Sequence, residues 1–305
     1  MATPTSTTAT GTPAAVPAPA PGRAQGPRRR RPAGADRPNY LGGFASFVWL
    51  GIIIIPVYWV VITSFKPQSA YYTSNPMLPS EPTLENYQAV LEADFLRYFL
   101  NSVIVTVGAT VPAVLLSFMA AFAIVRGGRG RFLRMSNTVF LMGLACPTQA
   151  VIIPVYLIII RLSLYDSHLA LILPSIAFAI PLSVLILANF IRDVPNELFE
   201  SMRMDGSSEW GTMWRLAFPL TQPALITVSI YQGLQVWNAF LLPLVLTQSP
   251  EMRVLPLALW AFQGEYGINV PAVLASVVLA TLPILALYVV GRRHLLAGMT
   301  AGFSK

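Results

Sequence analysis

Five residues in the apolar part of the chain could bind a small solute: Gln149, Gln232, Gln235, Trp237 and Asn238. In a helix, Gln232, Gln235 and Asn238 would spread over about a third of the circumference, with Trp237 beside them. Amide groups donate and accept hydrogen bonds, so they could bind a hydroxyl-rich solute, and the Trp237 ring could stack on a sugar ring. The same amides could also hydrogen-bond between neighbouring helices. The sequence leaves both roles open.

A second candidate site is a cluster of charged residues in the stretch ESMRMDGSSEWGTMWRLAFPL at 200–220. It places five charged side chains around one glycine, between two long apolar segments. These residues are Glu200, Arg203, Asp205, Glu209 and Arg215, with Gly206 in the middle. Such a stretch needs a structural explanation in a chain that is otherwise almost uncharged.

Metal binding and nucleotide binding find little support in the sequence. The single cysteine, Cys146, lies in an apolar run, and the two histidines, His168 and His294, are far apart. We therefore predict neither an intramolecular disulfide nor a cysteine or histidine metal site. The glycine-rich RGGRGR at 126–131 lacks the Gly-Lys-Ser/Thr ending that binds phosphate and magnesium, and is interpreted as a tight turn.

Composition predicts a membrane protein. Of the 305 residues, 55% are hydrophobic and 11% are charged, whereas soluble domains carry about 25% charged residues. Six apolar segments reach the roughly 20 residues that a membrane-spanning helix needs. They are 44–65, 98–125, 136–160, 168–190, 221–246 and 270–291. The predicted fold class is all-α, a polytopic membrane protein with six transmembrane helices, several of them kinked at prolines.

The chain divides into a basic tail at 1–40 and a transmembrane domain at 41–305. The tail is rich in Ala, Pro, Thr and Gly and ends in the run Arg28 to Arg31, a composition typical of disorder. With the tail in the cytoplasm, sixteen of the 20 Lys and Arg residues lie on the cytoplasmic side. The positive-inside rule therefore predicts that both termini are cytoplasmic.

The loop at 191–219 is predicted to form two short helices. Pro195 suits a helix start, Gly206 suits a left-handed turn, and Ser207 or Ser208 can cap a second helix. Apolar residues recur there with helical spacing, at Trp210, Met213, Trp214 and Ala217. The pair could dock another protein or could simply lie on the bilayer. Because its five acids outnumber its three arginines, the loop should not bind anionic headgroups, which favours a protein-binding surface.

From Glu200 to Pro219 the spacing resembles the EAA loop of ABC importer permeases, with Gly206, Leu216 and Phe218 at matching positions. The chain after residue 40 is similar to the carbohydrate-uptake permeases related to the shorter, six-span maltose permease subunit. The motifs that carry this similarity are SFKP at 64–67, PTLENY at 82–87, FLNS at 99–102, LALILP at 169–174, VPNELFESMRMDGSSEW at 194–210, WN at 237–238 and the final AGFSK. The departures are Ser201 and Met202 in place of two alanines, Leu216 and Phe218 in place of Ile and Leu, and Ala239 where an acid often follows Trp-Asn.

This resemblance implies the ABC importer type I permease fold, with the 191–219 loop coupling the chain to an ATPase. It assigns Glu200 as a polar anchor and Gly206 as the turn, and places Trp210 and Trp214 in the ATPase groove or against the permease's own helices. Asp205 and Pro219 complete the expected coupling residues. No cofactor is expected, because a partner subunit would bind and hydrolyse ATP. The implied partners are a second permease in a heterodimer, two cytoplasmic ABC ATPases, an extracytoplasmic solute-binding protein and membrane lipid, with no nucleic acid.

The predicted function is import of a sugar or oligosaccharide across a prokaryotic cytoplasmic membrane by alternating access. A permease for another solute, such as glycerol phosphate, is the main alternative. A polyamine path would want intramembrane acids, which the predicted spans lack. A membrane-embedded enzyme would need clustered His, Asp, Glu or Cys, and a proton-coupled transporter an ionisable residue in a span. No such cluster is present in the sequence, and a proton-coupled transporter is likewise disfavoured.

Overall fold

The computed structural model describes residues 40–78, 81–127, 130–258, 263–264 and 267–301. The predicted tail, apart from Tyr40, and the final residues 302–305 lie outside this part of the chain. Packing between residues divides the chain into two units, 1–51 and 52–305. Every contact and cavity described below lies within the second unit.

The described elements are almost all helical. The thirteen α-helices are α1 (Tyr40–Ser64), α2 (Glu85–Glu92), α3 (Phe95–Arg126), α4 (Arg131–Leu144), α5 (Thr148–Arg161), α6 (His168–Arg192), α7 (Asn196–Met204), α8 (Glu209–Thr212), α9 (Phe218–Leu220), α10 (Gln222–Trp237), α11 (Leu241–Leu246), α12 (Leu255–Ala258) and α13 (Val270–Ala301). Short 3₁₀ turns occupy Gln68–Ala70 and Pro250–Met252, and a π-helix occupies Met213–Ala217. Strands β1 (Gln263–Gly264) and β2 (Gly267–Ile268) form an antiparallel hairpin of two residues each. The all-α prediction is confirmed.

Three helices in the described residues are individually long and apolar enough to cross a membrane: α1, α3 and α6. They correspond to the first, second and fourth predicted spans. The third predicted span is α4 plus α5, the fifth is α10 plus α11, and the sixth is the first part of α13. A six-span arrangement is thus consistent with the order of the helices.

Two predicted spans are not continuous helices. Between α4 and α5 the chain bends by 108°, and Pro147 stands in extended conformation before α5 (φ −72°, ψ 130°). Proline disfavours helical geometry in the residue before it, which explains the break. The segment 221–246 is interrupted at 238–240, where the Asn238 side chain donates to the Leu234 carbonyl at 2.8 Å and ends α10. The backbone N–H of Asn238 donates to the same carbonyl at 3.1 Å, so that its side chain and backbone share one acceptor at the helix end.

Helix α3 packs most extensively against α6. Small residues make this possible: Ser102, Thr110, Ala113 and Ser117 on α3 are all buried. At Gly108 a Cβ atom would lie 2.8 Å from Cδ1 of Ile172 on α6, so a larger residue there would require the Ile172 side chain to move. These four residues form a small-residue stripe, which allows close helix packing.

Two apolar clusters hold the helices together. One lies at the end of the bundle that carries the 191–219 loop, called here the loop end, and combines α3, α6 and α10 with Phe199, Met213 and Ala217 of the loop. The other lies toward the opposite end and combines α3, α5 and α6 with Leu242, Leu246 and Val254. The loop is therefore part of the core and not an appendage to it.

The motifs SFKP and PTLENY meet at the end of α1. The amide of Asn86, which is buried, donates to the carbonyl oxygens of Ser64 and Lys66 at 2.9 and 2.7 Å. The hydroxyls of Ser64 and Tyr87 lie 2.6 Å apart, and the buried Lys66 ammonium donates to the Asn75 carbonyl. These side chains fix the turn that joins α1 to α2.

Opposite the loop end, side chains anchor the segment 246–255 to its neighbours. Asn101 of the FLNS motif donates to the carbonyls of Glu251 and Arg253 at 2.7 and 2.9 Å, and its Oδ1 lies 2.9 Å from Nε2 of His168. The Ser102 hydroxyl accepts from the backbone N–H of Leu255 at 2.8 Å. Helix α3 thus holds this segment by its first turns.

Asp166 provides a further anchor from the loop before α6. Its Oδ1 accepts hydrogen bonds from the backbone N–H groups of Gln248 and Ser249, at 2.9 and 3.1 Å. Burial raises the pKa of the Asp166 carboxyl, but the hydrogen bonds from Gln248 and Ser249 outweigh this effect, and the net pKa lies below the ordinary value of 3.8. The carboxylate form is therefore the one that the fold stabilises.

We expect Asp166→Ala to lower the free energy of unfolding by about 1–3 kcal/mol, because two backbone N–H groups lose a charged acceptor. Asp166→Asn keeps a side-chain oxygen and tolerates the left-handed backbone at this position (φ 58°), so it should retain most of the stability. Thermal unfolding of the solubilised protein at pH 7 measures both. Equal unfolding temperatures for Asp166→Ala and the unaltered protein would contradict the anchor.

The stabilisation by the Asp166 carboxylate depends on pH with a definite sign. Because folding lowers the pKa, the stabilisation is fully present above the ordinary value of 3.8 and is lost as the pH falls through the lower folded-state pKa. The difference between Asp166→Ala and the unaltered protein should therefore begin to shrink as the pH falls below 3.8.

Candidate functional site

The first half of the 191–219 loop folds as predicted. Pro195 precedes α7 in extended conformation (φ −55°, ψ 135°), and α7 begins at Asn196. At the other end Gly206 has a φ of 76°, its N–H donates to the Arg203 carbonyl at 3.0 Å, and the Ser207 N–H donates to Met202 at 2.9 Å. A left-handed glycine with these paired bonds ends a helix and reverses the chain.

The second half contains a feature that the sequence did not indicate. Ser208 caps α8 as predicted, with its hydroxyl accepting from the Gly211 N–H at 3.1 Å. After Thr212 the helix widens into the π-helix, in which the Phe218 N–H donates to the carbonyl of Met213. Pro219 follows and has no N–H to donate to the Arg215 carbonyl. This local loss of a regular helical bond favours a wider turn, and apolar spacing alone could not reveal it.

The apolar faces of both loop helices point into the protein. Phe199 is 1% exposed and Met213 is 4% exposed. The Trp214 ring is partly buried, with its centroid 5.9 Å from that of Phe118 on α3 and 5.2 Å from that of Phe218. Of the two packings predicted for Trp214, the structure shows contact with the protein's own helices. A hairpin that merely lies on the bilayer would instead turn this face toward lipid.

The outer face of the loop is polar and accessible. Glu200, Asp205, Gly206 and Pro219 are exposed, and Trp210 is 60% exposed with its ring against Trp214. Within the described ranges, the carboxylates of Glu200 and Asp205 have no ion-pair partner. Glu209 differs, because its Oε1 lies 2.7 Å from Nη2 of Arg203. The exposed surface of the loop thus includes two unpaired acids and a projecting indole.

Arg126, at the end of α3, is a loop contact that the sequence did not single out. In the sequence it belongs to the RGGRGR turn at 126–131 and to the many basic residues that predict topology. Its Nη1 donates to Oδ1 of Asn196 at 2.8 Å, and its guanidinium lies over the Phe199 ring. It also borders a groove of about 760 Å³ between α3 and the loop, lined in part by Trp210 and Met213. No short motif predicts a contact over 70 residues.

Three of the five predicted solute residues line one cavity. Gln149, Gln232 and Gln235 border a space of about 290 Å³, together with Thr148 and Ser175. Their roles differ, because Gln232 is 5% exposed and its amide donates to the Ala179 carbonyl at 3.1 Å and the Ser183 hydroxyl at 3.0 Å. Gln232 therefore joins α10 to α6, whereas Gln149 and Gln235 are exposed.

Trp237 and Asn238 lie elsewhere. Both border a separate cavity formed with α12 and α13, and the Trp237 ring packs edge-on against Phe99 at 5.9 Å. In an α-helix, residues three positions apart point in directions that differ by about 60°, so Gln232 and Asn238 point about 120° apart. The predicted group therefore rotates out of the first cavity by Asn238, and the five residues do not form one site.

Known proteins resemble this chain over most of its length. The family model described as "Binding-protein-dependent transport system inner membrane component" matches residues 102–300. The ABC transporter permease protein ORF2 of a Caldicellulosiruptor species is 40% identical over 262 residues, which cover 85% of this chain and 94% of the relative. A diacetylchitobiose uptake system permease protein of Streptomyces coelicolor is 33% identical over 261 residues, covering 84% and 85%.

A solved structure agrees in fold. The crystal structure of a bacterial ABC transporter involved in the import of the acidic polysaccharide alginate matches with a TM-score of 0.71 and 22% identity. The match covers 83% of this chain and 96% of the other. With its all-helical architecture and the two-helix loop at 191–219, the chain belongs to the family of binding-protein-dependent transport system inner membrane components, the permease subunits of ABC transporters.

Proposed function

We propose that this permease imports a neutral sugar or oligosaccharide across the cytoplasmic membrane of a prokaryote, with both termini in the cytoplasm. The observation that carries the proposal is the cavity beside Gln149 and Gln235, whose described lining residues are amide, hydroxyl or apolar and include no charged side chain. Such a lining can hydrogen-bond to hydroxyl groups, but it lacks a cation for a phosphate or an acid for a polyamine. A relative named for diacetylchitobiose uptake supports the same solute class.

The proposed energy source is ATP hydrolysis by two partner ATPases, and the chain itself binds no nucleotide. Support comes from the loop, whose apolar faces are buried in the core while Glu200, Asp205 and Trp210 stay exposed. A basic groove on an ATPase would complement the two unpaired carboxylates. A second permease would complete the membrane unit as a heterodimer, and an extracytoplasmic binding protein would deliver the solute.

Uptake by reconstituted vesicles tests the proposal. The permease, its partner permease, the ATPases and the binding protein would be assembled in vesicles and offered neutral disaccharides, glycerol phosphate and spermidine as separate labelled solutes. We expect ATP-dependent uptake of a disaccharide. Uptake of glycerol phosphate or spermidine without any sugar uptake would overturn the proposed solute class.

The two exposed cavity glutamines, Gln149 and Gln235, should affect solute binding and not the stability of the fold. We expect Gln235→Leu to raise the concentration for half-maximal uptake roughly tenfold, because one or two solute hydrogen bonds are lost. Gln232→Leu should instead lower the free energy of unfolding by about 1–3 kcal/mol, because it leaves the Ser183 hydroxyl and the Ala179 carbonyl without this donor. Uptake kinetics and thermal unfolding of both variants separate the two roles. Unaltered uptake kinetics for Gln235→Leu would remove it from the solute path.

The loop turn should tolerate only residues that accept a positive φ. Gly206→Pro fixes φ near −65° and removes the N–H that donates to Arg203, so we expect an inserted protein in which ATP hydrolysis no longer drives uptake. Gly206→Asn is the matched control, because Asn accepts the left-handed region and nothing lies within 4 Å of an added Cβ. The measurement is solute transported per ATP hydrolysed. Normal coupling in Gly206→Pro would contradict the role of the turn.

A further inference from the structure

Arg126 holds the first loop helix through two different contacts. Its Nη1 donates a hydrogen bond to Oδ1 of Asn196, the first residue of α7, at 2.8 Å. Its guanidinium carbon lies 4.0 Å from the centroid of the Phe199 ring, and that ring is 1% exposed within the loop-end core. One side chain of α3 therefore contacts both the start of α7 and its buried face.

This contact gives α7 a second attachment. Along the chain, α7 is joined to α6 through the three residues 193–195 and to α8 through the turn at 205–208. A short linker by itself lets a helix pivot about the connection. Arg126 adds a directional contact with α3 to the packing of Phe199 in the loop-end core, so that polar and apolar contacts together set the orientation of α7.

Arginine suits this position better than lysine. A planar guanidinium can place its face on an aromatic ring while an N–H in its plane donates to Asn196. An ammonium group is a compact charge and cannot present a flat face and an in-plane donor at once. The Phe199 ring also belongs to the core that contains Phe118 and Phe122 of α3. A movement of α7 would therefore displace its contacts with α3 directly.

We propose that Arg126 is a positioning residue that makes α7 and α3 move together. A displacement of the loop by an ATPase then reaches α3 directly, and does not pass through α6 alone. The proposal rests on the coupling function proposed for the loop. It adds a residue that lies outside the loop itself.

The test compares variants in the complete transporter, reconstituted with its partner permease, ATPases and binding protein. For Arg126→Ala we expect solute transported per ATP hydrolysed to fall about tenfold, within the usual range of coupling between sites. Arg126→Lys should fall less than Arg126→Ala but below the unaltered protein. The buried Nε of Arg126 has no hydrogen-bond acceptor in the described part of the chain. Lysine has no such group, so a lower transport ratio in Arg126→Lys cannot be caused by an unsatisfied Nε.

Asn196→Ala supplies a double-mutant cycle. Because it removes one partner of the same contact, it should lower the ratio when introduced alone and add little in the Arg126→Ala background. Arg131→Ala is the matched control, since it removes a positive charge from an exposed position just five residues farther along the chain. We expect its ratio to equal that of the unaltered protein.

The outcomes separate the possibilities. A normal transport ratio in Arg126→Ala overturns the proposal, and so does a loss of thermal stability or of ATPase co-purification that lowers uptake and hydrolysis equally. Uncoupling in Gly206→Pro with normal coupling in Arg126→Ala would reject only the role of Arg126. Normal coupling in both would reject the proposed function of the loop.

Discussion

The close packing of α3 against α6 is the constraint on which both candidate regions depend. Buried small residues such as Ala113 and Ser117 allow this approach, and Phe118 on the same helix supplies the surface on which Trp214 and Phe218 pack. If α3 and α6 moved apart, the loop would lose its base. Helix α10, which packs against both helices, would also shift relative to α6 across the cavity at Gln232. The small-residue stripe therefore acts on function through packing.

The burial of the loop's apolar faces explains why its acids are outside. Phe199, Met213 and Ala217 enter the loop-end core, which fixes the orientation of α7 and α8. With that face buried, the opposite face carrying Glu200 and Asp205 must face outward. Each Å² of buried apolar surface stabilises the fold by about 25 cal/mol. This burial thus positions charged groups that form no stabilising ion pair themselves. The burial of the apolar face therefore leaves both carboxylates at the surface.

The same helix connects the two ends of the protein. At one end α3 holds the loop through Arg126, and at the other its Asn101 and Ser102 hold the segment 246–255. Asp166 anchors that segment from a second direction. Directional hydrogen bonds therefore tie both ends of the bundle to one helix, α3.

Local chemistry determined much of this protein. Long apolar runs specified an all-helical membrane chain, and single residues specified local geometry: Gly206 the left-handed turn, Ser208 the cap and Pro195 the start of α7. These features depend on neighbours a few residues away, which a sequence displays directly. Spacing also carried the family resemblance, because the loop motif lies within one continuous stretch.

Only the tertiary structure decided which polar residues share a space and which hold the fold together. Gln232 and Gln235 are chemically identical and three residues apart, yet one joins α10 to α6 while the other faces the cavity. Trp237 and Asn238 rotate onto another face, and Arg126 finds Asn196 across 70 residues. These outcomes depend on how separate helices are rotated and packed, and a one-dimensional pattern contains no such information between distant segments.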